Sequence, residues 1–180
     1  MAPEINPEYE WVFKGDEKDV LAVEKLDGTN VSIVVDNGQL TSIWNRTARI
    51  PFFTKGKSFI IKGLLNSFER GYCDLPDGQH FGEWWGAGIG KRYPGAPKVF
   101  SLFNTTRWQV LKDQGFLTVC DVVPTLYEGR FDTHICDKVV ADLIITGSRV
   151  WPDAKSEGIV VFHKAAGSLF KVTCENLPLS

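Results

Sequence analysis

Lys25 is the residue of this sequence whose type and setting best suit chemistry. It ends an apolar run and is followed by the turn signal Asp27-Gly28, so backbone on both sides would hold its side chain in place. A lysine amine held in this way and freed of its proton suits a covalent nucleophile that attacks a phosphorus atom. The pattern Lys-x-Asp-Gly is short and recurs by chance. Taken alone, Lys25 is better interpreted as a solvated lysine at the end of a strand.

Further segments along the chain carry residue types that suit the same chemistry. In chain order they are Asn45-Arg46-Thr47, Phe81-Gly82-Glu83-Trp84-Trp85-Gly86, Val99-Phe100-Ser101-Leu102-Phe103-Asn104, Ser156-Glu157-Gly158-Ile159-Val160 and Phe170-Lys171-Val172-Thr173. Together with Lys25-Leu26-Asp27-Gly28-Thr29-Asn30, they resemble the ordered motifs of the covalent nucleotidyltransferase superfamily. That superfamily contains ATP-dependent DNA ligases, RNA ligases and mRNA capping enzymes. The resemblance covers nearly the whole chain, which makes it far more specific than one motif.

The resemblance implies roles for these residues. Lys25 would take a nucleoside monophosphate onto its side-chain nitrogen, while Lys171 and Arg46 would add positive charge near the phosphates. Glu157 would serve catalysis and bind Mg²⁺ or Mn²⁺, because a carboxylate is a hard oxygen ligand. The resemblance further implies a set of nucleotide-binding residues, namely Glu24, Leu26, Asn30, Arg46, Glu83, Phe100 and Phe103.

The sugar and base contacts leave alternatives open. Glu83 suits hydrogen bonds from ribose hydroxyls, but beside two tryptophans it is equally a carboxylate at the rim of an apolar patch. Phe100 and Phe103 each offer a flat face to a purine. Their separation is odd, so they share a sheet face only if a bulge intervenes, and we expect one of them to stack, with Phe100 preferred. Arg49 is an alternative to Arg46 as the arginine that contacts the nucleotide.

Short strands with a few helices are predicted around these residues. Apolar spacing predicts helices over 59–70 and 138–145, and a glycine-rich loop over 86–95 carries Lys91 and Arg92. Alternation and turn residues predict two strands within 20–35 and further strands over 39–43, 80–85, 98–103, 118–123, 158–162 and 168–173. The pattern predicts an α+β fold of antiparallel sheets with flanking helices. The resemblance specifies it as a nucleotidyltransferase (ATP-grasp-like) domain, a single domain over residues 1–180.

Charge and composition limit the functional classes. The formal net charge is −2, so no global basic field of the kind typical of non-specific nucleic-acid binders is present. A polynucleotide contact must come from a local patch, for which Lys91 and Arg92 are candidates, although a solvated loop explains them equally well. No signal peptide or long apolar run is visible, which predicts a cytoplasmic protein without a membrane segment.

Cysteines and histidines do not suggest a second site. The cysteines stand alone without metal-ligand spacing, so we expect reduced thiols, some of them buried, at Cys73, Cys120, Cys136 and Cys174. The three histidines have no sequence partners that indicate catalysis, and we expect structural or surface roles for His80, His134 and His163.

The segment Gly28-Thr29-Asn30 indicates a branch of the superfamily. DNA ligases and capping enzymes usually place arginine two residues after the Asp-Gly pair, whereas RNA ligases of the phage and RNA-editing type often have Gly-Thr-Asn. The pair Glu24-Lys25 is similar to that RNA ligase group as well. The resemblance therefore implies an RNA ligase adenylyltransferase domain that uses ATP and joins RNA (or DNA) ends bearing a 5′-phosphate and a 3′-hydroxyl.

Two departures from the superfamily pattern shape these expectations. The closing motif usually has lysines at alternate positions, whereas Thr173 follows Lys171 here. The sequence stops soon after that motif, so we expect no C-terminal OB-type domain, and a partner protein is a possible source of a nucleic-acid clamp. The alternatives are a small DNA ligase, a capping-type guanylyltransferase that prefers GTP, a modifier of another acceptor, or a weakened module that binds nucleotides or RNA ends.

Overall fold

The computed structural model of the chain describes residues 19–51, 62–64, 75–118 and 120–176. Residues 62–64 are helical. In chain order the other elements are β1 (Val20–Glu24), β2 (Thr29–Asp36), β3 (Gln39–Trp44), β4 (Arg49–Ile50), β5 (Gly78–Trp85), β6 (Val99–Leu102), α1 (Thr105–Asp113), β7 (Asp121–Val122), β8 (Thr125–Gly129), α2 (Thr133–Thr146), β9 (Gly158–His163) and β10 (Ser168–Thr173), followed by a 3₁₀ turn at Cys174–Asn176.

These elements form two compact units, each with its own sheet and core. Of the described residues, the first unit contains those up to Leu26 and from Pro124 onward, and the second contains those from Asp27 to Val123. The boundary between Leu26 and Asp27 therefore falls one residue after Lys25. The single domain expected over residues 1–180 stays a prediction.

The first unit is an antiparallel sheet with α2 packed on one face. Its strand order is β10-β9-β1-β8, and every pairing is antiparallel. Strand alternation directs Val20, Ala22 and Glu24 to one face, where all three are buried. The core on that face joins the two central strands to the helix and comprises Val20, Ala22, Cys136, Val140, Leu143, Ile159 and Val161.

Both ends of α2 are capped in ways that its sequence explains. The carboxylate of Asp132 accepts a hydrogen bond from the His134 N–H at 2.8 Å, which satisfies a backbone donor of the first turn. Gly147 ends the helix with a positive φ of 80°, and its N–H donates to the Leu143 carbonyl at 2.9 Å. The caps hold α2 over the sheet and define where the following loop starts.

The described cysteines Cys120, Cys136 and Cys174 are thiols, as the sequence predicts. Cys120 and Cys136 are buried and Cys174 is half-buried. Burial, with the nearby carboxylates of Asp137 and Asp132, raises the pKa of the Cys136 thiol. A thiol of raised pKa carries less of the reactive thiolate at neutral pH, which fits a packing role. Cys73 lies outside the described residues.

The second unit is built on a larger sheet with the order β4-β3-β2-β5-β6-β7. Its pairings are antiparallel except for the last, between β6 and β7, which is parallel. β2 and β3 are joined by Asn37-Gly38, whose φ angles of 50° and 72° are both positive. Positive φ at both positions is the geometry of a tight two-residue hairpin turn, as the Asp36-Asn37-Gly38 signal predicts.

One face of this second sheet forms the larger core. Val31, Ile33 and Val35 alternate along β2 onto this face, where each is at most 1% exposed. Phe100 packs over Gly82 of the neighbouring strand: a Cβ atom at Gly82 would lie 2.8 Å from the Phe100 ring. Further buried members are Ile43, Ile50, Leu64, Leu75, Trp84, Ile89, Leu102, Trp108, Leu117, Cys120 and Val122.

The α+β class with antiparallel sheets and flanking helices is confirmed, and most predicted elements form. Two predictions need correction. The strand expected over 118–123 is limited to Asp121–Val122, because a parallel pairing with the short β6 supports only those residues. The helix expected over 138–145 is longer, Thr133–Thr146, because Asp132 caps an earlier first turn. The helix predicted over 59–70 lies mostly outside the described residues.

Among the residues that the structure describes, no helix has the length and apolar character needed to cross a membrane.

We predict that Gly82→Ala destabilises the second unit strongly. The added Cβ would lie 2.4 Å from the Ser101 carbonyl oxygen, so two paired strands would have to separate, at a cost of about 3 kcal/mol or more. Urea denaturation measures the change in the free energy of unfolding. Gly95→Ala is the control. The φ of Gly95 is 76°, and no atom of the described residues lies within 4 Å of a Cβ built there, so only the backbone cost of about 1 kcal/mol is expected. Equal losses in both variants would contradict the packing argument.

Candidate functional site

Lys25 is held by strand pairing directly after β1. Its N–H donates to the Gly158 carbonyl at 2.9 Å, which extends the pairing of β1 with β9 by one residue. The preceding residue, Glu24, pairs with Ile159. The backbone of Lys25 is therefore fixed on a central strand of the first sheet, as a nucleophile with a defined position requires.

The Lys25 ammonium group donates to the Glu157 carboxylate and forms an ion pair with it. Glu157 directly precedes β9, and its own carbonyl accepts a hydrogen bond from the Cys174 N–H at 3.0 Å. The two side chains are 21% and 23% exposed, so the pair is partly shielded but remains accessible. A competing cation near Glu157, or a phosphate near Lys25, would break this ion pair.

Lys171 lies on the same sheet face as Lys25. Paired residues of antiparallel strands point to one face, and Val23, Val160 and Lys171 form such a row across β1, β9 and β10. Lys25 stands two residues beyond Val23, so it faces the same way, opposite to the face that packs on α2. The structure thus brings two predicted cationic residues to one face of one sheet.

Thr173 stands in the row of Lys25. Thr173 pairs with Gly158, the residue whose carbonyl accepts the Lys25 N–H. Gly158 has φ +146°, and a Cβ there would lie 2.1 Å from the Val172 carbonyl oxygen, so glycine is required. Because Gly158 has no side chain, β9 places nothing on this row between Lys25 and Thr173.

Glu24 points to the opposite, buried face. Its side chain is 1% exposed, and one carboxylate oxygen accepts a hydrogen bond from the Arg149 N–H at 2.9 Å. The Arg149 guanidinium in turn pairs with Asp142 and donates to the Thr146 hydroxyl at 2.9 Å, both on α2. Among described residues, the second oxygen of Glu24 has no hydrogen-bond partner. The geometry gives Glu24 a structural contact, and its nucleotide contact stays a prediction. Leu26 is also buried.

The second unit carries a polar row on the sheet face opposite to its core. Asn30 on β2 pairs with Glu83 on β5, and Glu83 pairs with Ser101 on β6, so the three side chains share a face. The Trp85 indole N–H donates to the Ser101 hydroxyl at 2.8 Å. Two residues predicted to contact the nucleotide, Asn30 and Glu83, are therefore direct neighbours.

The two phenylalanines of the aromatic motif point to opposite faces, as their odd spacing predicts. Phe100 is 2% exposed and belongs to the core. Phe103 is 36% exposed, and it follows Ser101 at the two-residue spacing that returns a side chain to the same face. Its burial in the core makes Phe100 unsuitable for stacking on a base, so the earlier preference for Phe100 gives way to Phe103.

The two candidate arginines lie in and after one turn. Asn45 shapes the turn because its side-chain oxygen accepts hydrogen bonds from the N–H groups of Thr47 and Ala48, at 3.0 and 2.8 Å. Arg46 is exposed within that turn. Arg49 begins β4 opposite Trp44, and its guanidinium donates to the Thr41 carbonyl at 3.4 Å.

Asp27 anchors the glycine-rich loop, a role that the sequence does not reveal. Its carboxylate accepts a hydrogen bond from the Lys91 N–H at 2.8 Å, and its own N–H donates to the Tyr93 hydroxyl at 3.3 Å. A Cβ at Gly90 would lie 2.8 Å from Asp27, so the close approach requires glycine. The loop that carries the exposed Lys91 and the half-buried Arg92 is thereby tied to the segment after Lys25.

The described carboxylates fit a metal ion that is held mainly by substrate and water. No group of three or more His, Cys, Asp or Glu side chains that could hold a metal occurs among the described residues. Mg²⁺ usually keeps several waters and takes one or two carboxylates plus phosphate oxygens. Glu157, partly exposed and charge-paired with Lys25, suits that arrangement.

The histidines take structural or surface positions. His80 is buried and contacts the Pro76 carbonyl at 2.7 Å, and buried His163 accepts the Ala166 N–H at 3.1 Å. His134 is exposed.

Comparisons with known proteins agree on one family. The sequence model of the RNA ligase family matches residues 18–173. Structures of Naegleria gruberi RNA ligase superpose on the chain. A mutant with ATP and Mn does so with a TM-score of 0.56 and 16% identity over 91% of this chain. A mutant with AMP and Mn gives a TM-score of 0.57 and 17% identity over 92%, and a form with PPi gives 0.55 and 16% over 92%. At such identities the likeness shows the fold, which confirms the expected nucleotidyltransferase architecture. This chain spans 52% of the length of each of these proteins. A sequence comparison with curated proteins finds no match.

We predict that Glu24→Ala lowers the free energy of unfolding by about 1–3 kcal/mol, because the partly buried Arg149 N–H loses its acceptor. Glu24→Gln keeps a side-chain oxygen and should lose less. Urea denaturation measures both changes.

Glu128→Ala serves as the matched control. It removes a carboxylate of the same unit whose partner is Lys164 and whose side chain is 46% exposed, so a loss below about 1 kcal/mol is expected. A Glu24→Ala protein as stable as the Glu128→Ala protein would show that the buried hydrogen bond contributes little.

Proposed function

Because the chain belongs to the RNA ligase family, whose sequence model matches residues 18–173, we propose that it is an ATP-dependent RNA ligase that works through a covalent lysyl-AMP at Lys25. The observation that carries the proposal is the arrangement on one face of the first sheet. There Lys25 forms an ion pair with Glu157, and Lys171 shares the face. A nucleophile, a carboxylate and a second cation are the groups that phosphoryl transfer requires.

The first step would be nucleotidyl transfer to Lys25. After the ammonium group loses a proton to solvent, its nitrogen attacks the α-phosphorus of ATP. A nitrogen–phosphorus bond forms, the bond to the departing pyrophosphate breaks, and a second proton passes from the nitrogen to solvent. Lys171 would stabilise negative charge on the phosphates as it shifts during this in-line displacement. Displacement of Glu157 from the ammonium would free the lysine to react.

The next steps would pass AMP to RNA. The 5′-phosphate of an RNA end attacks the phosphorus of lysyl-AMP, which forms a pyrophosphate-linked adenylate and restores the amine of Lys25. The 3′-hydroxyl of another end then attacks the activated 5′-phosphorus, and AMP leaves as the phosphodiester bond forms. Lys91 and Arg92 are candidates for contacts with the RNA backbone.

Residues of the second unit, taken by itself, suit sugar and base contacts. Glu83 can accept hydrogen bonds from ribose hydroxyls, and Asn30 beside it can both donate and accept. Phe103 offers an exposed aromatic face for the base. Arg46 or Arg49 would contact phosphate or ribose as a guanidinium donor.

Glu157 would hold the metal ion, Mg²⁺ or Mn²⁺, with the remaining ligands from phosphate oxygens and water. When bound, the ion would neutralise phosphate charge.

A second candidate function rests on Thr173. The family pattern has another lysine at this position, and in the structure Thr173 stands in the row of Lys25. A site with one cation fewer favours a module that binds nucleotides or RNA ends without forming a covalent adduct. A partner protein that supplies an RNA clamp fits either function.

The proposal predicts a covalent label from α-labelled ATP with Mg²⁺ or Mn²⁺ that is labile in acid and stable in base. Lys25→Ala should abolish the label. Lys25→Arg is the sharper variant, because arginine keeps the positive charge toward Glu157 but is not a nucleophile.

The wild-type protein tested with GTP separates the ligase from the capping-type alternative. A label from GTP in preference to ATP would favour a guanylyltransferase. Nucleotide binding by wild type without any label would favour the binding module, and a label that persists in Lys25→Arg would refute the assignment of the nucleophile.

We also predict that Lys171→Ala slows label formation by about 10²-fold, because one charge facing the phosphates is lost. The matched control is Lys164→Ala. Lys164 forms an ion pair with exposed Glu128 elsewhere in the first unit, and its loss should change the rate less than about twofold. Single-turnover labelling at saturating ATP measures the rates. Equal rates in the two variants would remove Lys171 from the site.

A further inference from the structure

A second row of side chains lies beside the polar row of the second unit. Register pairs Arg49 with Trp44, Trp44 with Ser32, and Ser32 with Phe81. The Phe103 N–H donates to the Phe81 carbonyl at 3.0 Å, which sets these two residues opposite each other. We call Arg49, Trp44, Ser32, Phe81 and Phe103 the aromatic row. It spans roughly 19 Å across five strands spaced about 4.8 Å apart.

The exposure of Phe81 is not explained by packing. It lies inside an eight-residue strand and yet is 55% exposed, whereas Trp84 of the same strand is 1% exposed. Phe81 shares a face with Glu83, two residues further on, which places it next to the residues proposed to hold ribose. Phe81 also stands opposite the exposed Phe103, and contiguous exposed apolar side chains mark sites of interaction or ligand binding.

The chemistry of the aromatic row matches single-stranded RNA. Exposed aromatic rings stack on unpaired bases whatever their sequence. Arg49 stands at the end of the row, is exposed and carries a guanidinium group that suits phosphate. Phe81 is exposed and Trp44 is half-buried, so this row offers ring surface beside a cation, which complements the bases and backbone of one strand.

We propose that Phe81, with Trp44 and Arg49, binds a nucleotide of the RNA strand that is to be joined, separately from the base of ATP on Phe103. The inference rests on the proposed function, because it names where the substrate of that ligase lies. It assigns stacking to Phe81 and Trp44 and the contact with RNA phosphate to Arg49, which leaves the contact with ATP to Arg46.

The test measures RNA binding and self-adenylylation in the same variants. The probe is a short single-stranded RNA with a 5′-phosphate and a 3′-fluorescein, followed by fluorescence anisotropy. Phe81→Ala should weaken RNA binding at least about fivefold, while the rate of label formation from ATP changes less than twofold. Phe81→Leu, which keeps an apolar side chain and protects the fold, should weaken binding similarly because it cannot stack.

Phe116→Ala is the matched control for the aromatic loss. Phe116 is 63% exposed and lies outside the sheet, after α1, so its replacement should leave both readouts unchanged.

The charge of Arg49 is tested by the salt dependence of RNA binding. Arg49→Ala should reduce the slope of log affinity against log salt by about 0.7. Lys138→Ala, on exposed α2 surface of the first unit, should not change that slope.

Several results would overturn the inference. One is that Phe81→Ala binds RNA as tightly as wild type or Phe116→Ala does. Another is that Phe81→Leu keeps full RNA affinity. A third is that a variant loses label formation in parallel with RNA binding. A wild-type protein that forms the adduct but binds no RNA would overturn it as well. RNA binding through Phe81 in a protein that forms no adduct would instead refute the proposed ligase activity and support this inference.

Discussion

The first unit depends on the register between β1 and β9. In this pairing the Lys25 N–H donates to the Gly158 carbonyl at 2.9 Å. It therefore brings together the side chains of Lys25 and Glu157, which are 132 positions apart in the chain. Side chains alternate along a strand, and therefore a slip of one residue would turn Lys25 toward α2 and expose Glu24 in its place. The hydrogen bond from the Arg149 N–H to buried Glu24 opposes that slip, because it would be lost.

Neighbouring residues of one motif thus have different physical roles. Lys25 offers a reactive amine on the open face, whereas Glu24 is buried on the other face and holds the loop after α2. Asp27 ties down the glycine-rich loop through the Lys91 N–H. Gly28 is needed because a Cβ there would lie 2.3 Å from the Trp84 carbonyl oxygen. A short motif combines chemistry with the contacts that position it.

The second unit separates packing from recognition by sheet face. Phe100 and Trp84 fill the core, and Asn30, Glu83 and Ser101 line the opposite face. On that opposite face two rings, Phe81 and Phe103, are exposed and so remain available to a ligand. Fold and recognition therefore use the same strands without competing for the same side chains.

The sequence by itself determined the family, the α+β class and most strands, because ordered motifs and the two-residue period are local properties. It also determined that the side chains of Phe100 and Phe103 point to opposite faces of the sheet, because residues an odd number of positions apart do so in any regular strand. Tertiary structure decided which of the two is buried, because Gly82 on the adjacent strand has no side chain and leaves room for the Phe100 ring. The Lys25–Glu157 ion pair, the Glu24–Arg149 hydrogen bond and the aromatic row likewise depend on registers between distant strands. No local pattern encodes those registers, because each arises from the packing of segments far apart in the chain.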